Sequence, residues 1–154
     1  MQLYRVCRQK YAELSGYGAQ IAGGRWNRKG IPALYAAGNA SLAVLEVLVH
    51  LDRSELPEDY VLLSIHVPEE RIVHKDPALA SDAVDLERFR TTGYATLPKE
   101  MVGFSVPSAI VPQDRVVVLY PETAAYRSTV RIGEMSPFGF DRRLFFTQPG
   151  PVNG

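Results

Sequence analysis

The sequence predicts a single compact domain of the α+β class, and three observations support this prediction. The chain has 154 residues, of which 46% are hydrophobic and 22% charged, as is typical of one globular domain with a buried core. Segments that alternate like strands are mixed irregularly with helical segments, which favours α+β over a doubly wound sheet. No internal repeat divides the chain, so we assign residues 1–147 to one domain.

The chain begins with a strand, a short helix and a glycine-rich loop. Residues 3–7 alternate well enough to predict the strand, and residues 10–15 are expected to form the helix. Glycine dominates residues 16–24, which predicts a loop. A turn that contains Pro32 then leads into a short buried strand at residues 33–37.

The most clearly predicted element is a helix in the middle of the chain. Asn39 or Ser41 is its expected N-cap, and apolar residues continue to about Leu51. The next segment, residues 60–67, alternates as a strand does, and Pro68 ends it.

The second half of the chain predicts further strands and one surface helix. Polar residues with apolar spacing indicate the helix at residues 83–90. Strands are expected at residues 101–106, 115–120 and 126–132. Residues 148–154 have the turn-rich composition of a flexible tail.

Charge and hydropathy exclude several classes of protein. Lysine plus arginine and aspartate plus glutamate both number 17, so no net positive charge attracts nucleic acid. The apolar stretch 42–51 is too short to cross a bilayer, and the N-terminus lacks the apolar run of a signal peptide. Cys7 is the single cysteine, which excludes an internal disulfide and fits a buried thiol. We therefore expect a cytoplasmic protein that contacts neither membrane nor nucleic acid directly.

Several familiar catalytic motifs are missing from the sequence. Ile21 occupies the third glycine position of a GxGxxG pattern, and no GxxxxGK phosphate loop occurs. His50, His66 and His74 lack the close pairing of zinc ligands, so we expect no metal site and treat them as structural or exposed.

The segment GGRWNRKGIP at residues 23–32 is the first candidate for a binding site. Glycines bracket three cations, an aromatic ring and an amide. Glycine lets the backbone approach a phosphate closely, and a guanidinium offers paired donors that match its oxygens. The alternative is a solvated basic turn with Trp26 packed in the core.

Glu46 is the second candidate, because it is the lone charge within the run LAVLEVLV. A carboxylate in an apolar helix must find a cation, hydrogen-bond donors or a water-lined cleft. The alternative is an exposed stripe on which Glu46 pairs with His50 one turn away.

Together, the two candidates suit cleavage of the bond between nicotinamide and ribose. Breaking this bond builds positive charge on the ribose, as in glycoside hydrolysis, and a fixed carboxylate stabilises that charge. Nicotinamide leaves a cationic precursor as a neutral molecule, so one glutamate suffices without a general acid.

The ordered blocks GGRWNRKGIPALYAA, SLAVLEVLVHLD, SVPSAIVP and PFGFDRRLF resemble the RES-domain family, the toxins of RES–Xre toxin–antitoxin pairs. The resemblance implies a fold similar to that of the ADP-ribosyltransferases. It also implies consumption of NAD by hydrolysis or phosphorolysis, with inorganic phosphate as a co-substrate in the second case, or transfer of ADP-ribose to a protein. No further cofactor is implied.

The resemblance assigns the family's arginine, tyrosine, glutamate and serine to Arg25, Tyr35, Glu46 and Ser108. We expect Arg25 to hold the phosphates or the nicotinamide side of NAD, and Tyr35 to pack against nicotinamide or ribose. Glu46 would hold a ribose hydroxyl and stabilise positive charge. Ser108 would position the ribose or the attacking group by hydrogen bonding, without acting as a nucleophile.

Two further residues are candidates for contact with NAD, and the resemblance also implies a protein partner. Arg28 is a candidate for phosphate binding, and Asn27 either contacts the ligand or shapes the turn. The expected partner is an Xre-like antitoxin, and a homodimer is also compatible with the sequence. An inactive module that only binds its antitoxin is the alternative from a different functional class.

Overall fold

The computed structural model describes residues 1–52, 54–75, 87, 90, 91, 95 and 97–145. Seven strands form one sheet: β1 (Gln2–Arg8), β2 (Leu34–Ala37), β3 (Tyr60–His66), β4 (Ile72–His74), β5 (Gly103–Pro107), β6 (Arg115–Leu119) and β7 (Arg131–Phe138). The α-helices that the structure describes over their full length are α1 (Tyr17–Ala22), α2 (Ala40–Leu48) and α3 (Tyr126–Thr129). Short 3-10 turns lie at Gln9–Tyr11, Glu69–Arg71 and Arg142–Leu144.

The sheet has the order β4-β5-β6-β2-β1-β3-β7. Strands β4 and β5 run parallel, and the other neighbouring pairs in the described sheet are antiparallel. The short strand β2 lies in the middle, where Tyr35 pairs with Val118 of β6. This mixture of one sheet with short helices confirms the predicted α+β class.

Apolar residues cover the sheet in clusters that fix the positions of α2 and of the loop before β2. Helix α2 packs Leu42, Ala43 and Leu48 against Val6 of β1 and Val116 of β6. A second cluster packs the loop onto the sheet through Trp26, Ala33, Phe104, Val106, Val118 and Tyr120. Helix α2 and the loop are thereby held against the central strands.

The strand and helix predictions agree with the structure over most of the described residues. Strands β1, β2, β3, β5 and β6 lie within one or two residues of their predicted bounds. Helix α2 begins after Asn39, whose side chain accepts a hydrogen bond from the N–H of Leu42 at 2.8 Å. It ends at Leu48, three residues before the predicted end.

Two predictions in the first third of the chain are wrong. In place of the helix predicted at residues 10–15, a 3-10 turn spans Gln9–Tyr11, and an α-helix lies in the glycine-rich stretch predicted as a loop. Gly16 and Gly23 have positive φ angles of 70° and 73° and bound α1 at its two ends. The carbonyl of Ala19, which accepts from Asn27, then ties the helix to the following loop. The glycines therefore delimit this helix.

A third prediction is partly wrong, because residues 126–129 form helix α3 and the strand begins at Arg131. The hydroxyl groups of Ser128 and Thr129 donate to the carbonyl of Ala125 over 2.9 and 2.7 Å, local bonds that compete with regular secondary structure and accompany the short helical turn. Strand β4 was not predicted. The helix predicted at residues 83–90 and the tail at 148–154 lie outside the described residues, apart from positions 87 and 90.

Candidate active site

A cleft of about 770 Å³ opens between α1, α2, the loop before β2 and the loop after β5. Its volume lies within the range of about 300–1,000 Å³ that is common for small-molecule sites. The four residues assigned by resemblance, Arg25, Tyr35, Glu46 and Ser108, all line this cleft. The fold thus brings together side chains that are separated by up to 83 positions in the sequence.

Glu46 and Ser108 are joined directly. The Ser108 hydroxyl donates a hydrogen bond to Oε1 of Glu46 over 2.8 Å. Ser108 is 3% exposed, whereas Glu46 is half-buried on the cleft side of α2. The bond to a buried, fixed donor therefore holds one oxygen of the carboxylate in place while the carboxylate still faces the cleft.

The hydroxyl oxygen of Ser108 also accepts two hydrogen bonds from the backbone. This oxygen accepts hydrogen bonds from the N–H groups of Ile110 and Val111 over 3.0 and 3.1 Å. Its own proton points to Glu46, so both lone-pair directions and the donor are engaged. This geometry suits a positioning role and leaves no free lone pair for nucleophilic attack.

A second connection joins the loop after β5 to the N-terminus of α2. Asn39 caps α2 with its side-chain oxygen and donates through Nδ2 to Oδ2 of Asp114 over 3.0 Å. Asp114 also accepts the backbone N–H of Ser108 at its carbonyl oxygen over 2.8 Å. The elements that carry Glu46 and Ser108 are thus fixed to each other at two places.

Tyr35 is the centre of a hydrogen-bond network behind the cleft. Its hydroxyl donates to Oδ1 of Asn27 over 2.7 Å and accepts from the backbone N–H of Trp26 over 2.9 Å. Burial raises the pKa of Tyr35 to about 12, so the hydroxyl keeps its proton at neutral pH. Tyr35 is therefore a rigid, neutral ring in the wall of the cleft.

The loop before β2 is shaped by close packing around Gly24. A Cβ atom at this position would lie 2.6 Å from the Tyr35 hydroxyl oxygen and 2.8 Å from Oδ1 of Asn27, so glycine is required there. Trp26 is 4% exposed and packs edge-on against Phe104 at 5.3 Å between ring centroids. Trp26 therefore packs in the core, as in the alternative interpretation of this segment, and it also lines the cleft.

Arg25 follows Gly24 and lies at the exposed rim of the cleft. Its guanidinium carbon is 5.8 Å from the centroid of the Trp26 ring, within the range of a cation–π interaction. The arginine is thereby held beside the cleft with its charge accessible to solvent.

The two remaining candidates, Asn27 and Arg28, do not line this cleft. Asn27 is fully buried, and its Nδ2 donates to the carbonyls of Ala19 and Ile31 over 2.8 and 2.9 Å. Asn27 therefore shapes the turn, and its contact with the ligand stays a prediction. Arg28 lines a neighbouring cavity and pairs with Glu87. Its predicted contact with phosphate stays a prediction.

Sequence reasoning missed three polar residues of the cleft wall, namely Tyr4, Arg5 and His50. Arg5 donates to the carbonyl oxygens of Tyr11 and Glu13 over 3.0 and 3.3 Å. Both Tyr4 and Arg5 belong to β1, and nothing in the pattern of an opening strand indicates that it borders a site. His50 lies four positions after Glu46, and the spacing that suggested a pair on an exposed stripe also places it beside the cleft.

The part of the chain that the structure describes contains neither a candidate metal site nor a candidate membrane-spanning helix. No three histidine, cysteine, aspartate or glutamate side chains there lie close enough together to bind a metal ion. None of the helices there is both long enough and apolar enough to traverse a lipid bilayer.

Known proteins resemble this chain over most of its length. "Toxin Res" of Photorhabdus laumondii is 38% identical, over 94% of this chain and 97% of that protein. "Toxin Res" of Yersinia enterocolitica is 33% identical, over 94% and 99%. The "Prs ADP-ribosylating toxin" of a Sphingobium species is 36% identical, over 71% and 73%.

A solved structure and a family model extend the comparison. The fold is similar to a chain in the crystal structure of the M. tuberculosis MbcT–MbcA toxin–antitoxin complex, with a TM-score of 0.65 and 21% identity, covering 90% of this chain and 84% of that one. The model of the RES domain matches residues 2–141, which include all six candidate site residues. The chain therefore belongs to the RES domain family of toxins.

Proposed function

We propose that this protein cleaves the bond between nicotinamide and ribose in NAD, with phosphate or water as the acceptor. The observation that carries the proposal is the pairing of Glu46 with Ser108 inside a cleft that Arg25 and Tyr35 also line. The carboxylate is fixed in a mostly apolar cleft, where it acts on a positive charge more strongly than it would in water.

The chemistry requires a single carboxylate. As the bond from the ribose C1′ to the ring nitrogen breaks, its electron pair goes to the nicotinamide, which leaves as a neutral molecule. Positive charge develops on the ribose, and Glu46 stabilises this charge. When water is the acceptor, its oxygen bonds to C1′ and a proton passes to solvent, which gives ADP-ribose. When phosphate is the acceptor, one of its oxygens bonds to C1′, which gives ADP-ribose-1-phosphate.

The other three side chains, Ser108, Tyr35 and Arg25, would orient Glu46 and bind NAD. Ser108 fixes one oxygen of Glu46, and the second oxygen remains available for a ribose hydroxyl. The neutral Tyr35 offers a ring face to nicotinamide or ribose. Arg25, at the rim, is placed to attract the anionic part of the dinucleotide.

A second candidate reaction is transfer of ADP-ribose to a protein. It is favoured by the Sphingobium relative, whose name describes an ADP-ribosylating toxin. Transfer from NAD breaks the same bond to nicotinamide, so the same four residues would serve, and a protein side chain would replace phosphate or water. An inactive module that only binds an antitoxin would release no nicotinamide.

We further propose that the chain acts as the toxin of a toxin–antitoxin pair in the cytoplasm. Relatives named as toxins and a structural relative solved with its antitoxin support this proposal. An Xre-like antitoxin that covers the cleft would exclude NAD. Expression without the antitoxin is then expected to lower cellular NAD and arrest growth, and co-expression of the antitoxin to restore both.

The test of the reaction is incubation of purified protein with NAD, with and without inorganic phosphate, followed by chromatography of the products. ADP-ribose-1-phosphate formed in phosphate alone identifies phosphorolysis, and ADP-ribose in both buffers identifies hydrolysis. Nicotinamide release that needs an added protein, with a mass increase on that protein, identifies transfer. Intact NAD under all of these conditions contradicts the proposal.

A further inference from the structure

A second cavity lies beside the cleft and has a different character. It is a shallow, open depression of about 600 Å³, lined by Ala22, Gly23, Gly24 and three cationic side chains, Arg28, Lys29 and Arg90. Ala22, Gly23 and Gly24 line the cleft as well, so the two cavities meet along this edge. A ligand that occupies the cleft can therefore extend over the glycines into a basic environment.

The charges of this second cavity are only partly neutralised by the described residues. Glu87 pairs with Arg28 and lies 3.7 Å from a terminal nitrogen of Arg90. Lys29 takes part in no ion pair with another described residue. Three cations therefore face one described carboxylate, which leaves an excess of positive charge beside the glycine edge.

Arg90 connects this cavity to the cleft. Its carbonyl accepts the backbone N–H of Arg28 over 3.0 Å, which holds the two arginines together. Its Nε atom is buried and has no hydrogen-bond partner among the residues described. The side chain as a whole is 40% exposed, so an oxyanion in the cavity would bond to its terminal nitrogens. The charge of Arg90 also reaches the Tyr35 hydroxyl, where it opposes the effect of burial on the pKa.

We propose that Arg28, Lys29 and Arg90 form a subsite for phosphate oxygens, occupied by the pyrophosphate of a dinucleotide whose nicotinamide–ribose half lies beside Glu46. The inference rests on the proposed function for the identity of this ligand. Paired guanidinium donors and an ammonium group match the charge and the oxygens of a pyrophosphate. Glycine at positions 23 and 24 leaves the edge between the cavities free of side chains.

The subsite predicts discrimination between ligands that share the nicotinamide riboside half. Affinity for NAD should depend on the basic cavity, whereas affinity for nicotinamide riboside, which has no phosphate, should not. Calorimetric titration of both ligands into Glu46→Gln protein avoids turnover during the measurement. The Arg28→Ala/Lys29→Ala double substitution in that background is expected to weaken NAD binding about tenfold or more and to leave nicotinamide riboside binding within about twofold.

Matched controls separate the local effect from the change in net charge. Arg127 and Lys99 are exposed cations that line neither cavity, so Arg127→Ala/Lys99→Ala removes the same charge elsewhere and should leave both affinities unchanged. Arg90→Lys keeps the charge and removes the paired terminal donors of the guanidinium, and it should weaken NAD binding by itself.

Titration of inorganic phosphate and pyrophosphate into the wild-type protein tests the subsite independently of NAD. Pyrophosphate binding that the double substitution abolishes supports the subsite, even if NAD fails to bind and the proposed function is wrong. Preference for inorganic phosphate over pyrophosphate would identify free phosphate as the natural occupant and overturn the assignment to the dinucleotide. NAD binding that is indifferent to all three cations overturns the subsite and leaves the proposed function intact.

Discussion

At the scale of single residues, the candidate site depends on how Ser108 holds Glu46. A half-buried carboxylate on an apolar helix is stabilised when a fixed donor satisfies one of its oxygens, and the hydroxyl of Ser108 does so over 2.8 Å. The hydroxyl is itself fixed by two backbone N–H groups. The orientation of the Glu46 carboxylate is therefore set by the backbone of the loop after β5.

Ser108→Ala tests whether this serine positions Glu46 or attacks the substrate. Removal of a hydrogen bond to a charged group is expected to lower kcat for nicotinamide release by about 10- to 100-fold and leave residual activity. Ser105→Ala is the matched control, because Ser105 is a buried serine of β5 whose hydroxyl bonds to Arg115 outside the cleft. An ADP-ribosyl adduct on Ser108, detected by intact mass during turnover, would contradict the positioning role.

Gly24→Ala tests the close packing behind the cleft. The added methyl group would lie 2.6 Å from the Tyr35 hydroxyl oxygen, so the loop must shift. We expect a loss of about 1–3 kcal/mol in the free energy of unfolding and weaker NAD turnover. Gly139→Ala provides the comparison, because a Cβ atom there meets nothing within 4 Å. Equal stability of the two variants in urea would show that the packing at Gly24 is unimportant.

The raised pKa of Tyr35, about 12 against an ordinary value near 10, predicts a contribution to stability at high pH. The folded protein keeps a proton that the unfolded chain loses, so this contribution is complete below pH 10 and disappears as pH rises towards 12. Unfolding in urea between pH 8 and 12 should therefore show a shallower decline for Tyr35→Phe than for the wild type. A parallel decline would contradict this, and Tyr17→Phe, at an exposed tyrosine, is the control.

Residue patterns predicted Glu46 and the loop before β2 as parts of the site, but not Ser108 or the residues of β1. Glu46 stands out because a lone charge in an apolar helix needs a partner, and GGRWNRKG stands out by composition. Ser108 carries no such signal, since a serine near a strand end is ordinary, and only the family resemblance selected it. Tyr4 and Arg5 were missed because the side of β1 that borders a cleft depends on tertiary packing.

At the scale of elements, the bond between Asn39 and Asp114 links the start of α2 to the loop that carries Ser108. Asn39 has two functions, since its oxygen caps the helix and its amide reaches Asp114. These functions can be separated by substitution.

Asn39→Ser retains an oxygen for the cap and loses the amide donor, whereas Asn39→Ala loses both. The serine variant should keep nearly full stability with reduced kcat, and the alanine variant should lose about 1 kcal/mol more in the free energy of unfolding. Urea denaturation and NAD turnover measure the two effects. Wild-type kcat in the serine variant would show that the link to Asp114 does not orient the site.

Helices and strands with a clear periodic pattern were predicted correctly, whereas those fixed by contacts with other segments were not. Helix α2 and the strands paired in the sheet centre have clear patterns, so their bounds follow from the sequence. Helix α1 lies between two glycines and is tied to the following loop by the carbonyls of Ala19 and Gln20. Helix α3 has a strand-like composition, and its hydroxyl groups bond locally to the carbonyl of Ala125, which alternation along the sequence does not reveal.

At the scale of the whole molecule, composition and mixed periodicity predicted the α+β class, but the strand order did not follow from them. The order places β2 between β6 and β1, and this arrangement brings the loop before β2, helix α2 and the end of β5 around one cleft. Such an order depends on pairings between distant segments, for example of Leu34 with Leu119, which local patterns do not encode. The resemblance to the RES-domain family selected Tyr35 and Ser108 for the site, which periodicity did not.

The central claim is that Glu46 drives loss of nicotinamide from NAD, and nicotinamide release by purified wild-type and Glu46→Gln proteins tests it most directly. Both proteins must first show the same folded far-ultraviolet spectrum, with Glu70→Gln, at an exposed glutamate, as the matched control. We expect nicotinamide release by the wild type and the control, and a loss of about 100-fold or more in Glu46→Gln. Near-normal release by a folded Glu46→Gln protein would contradict it.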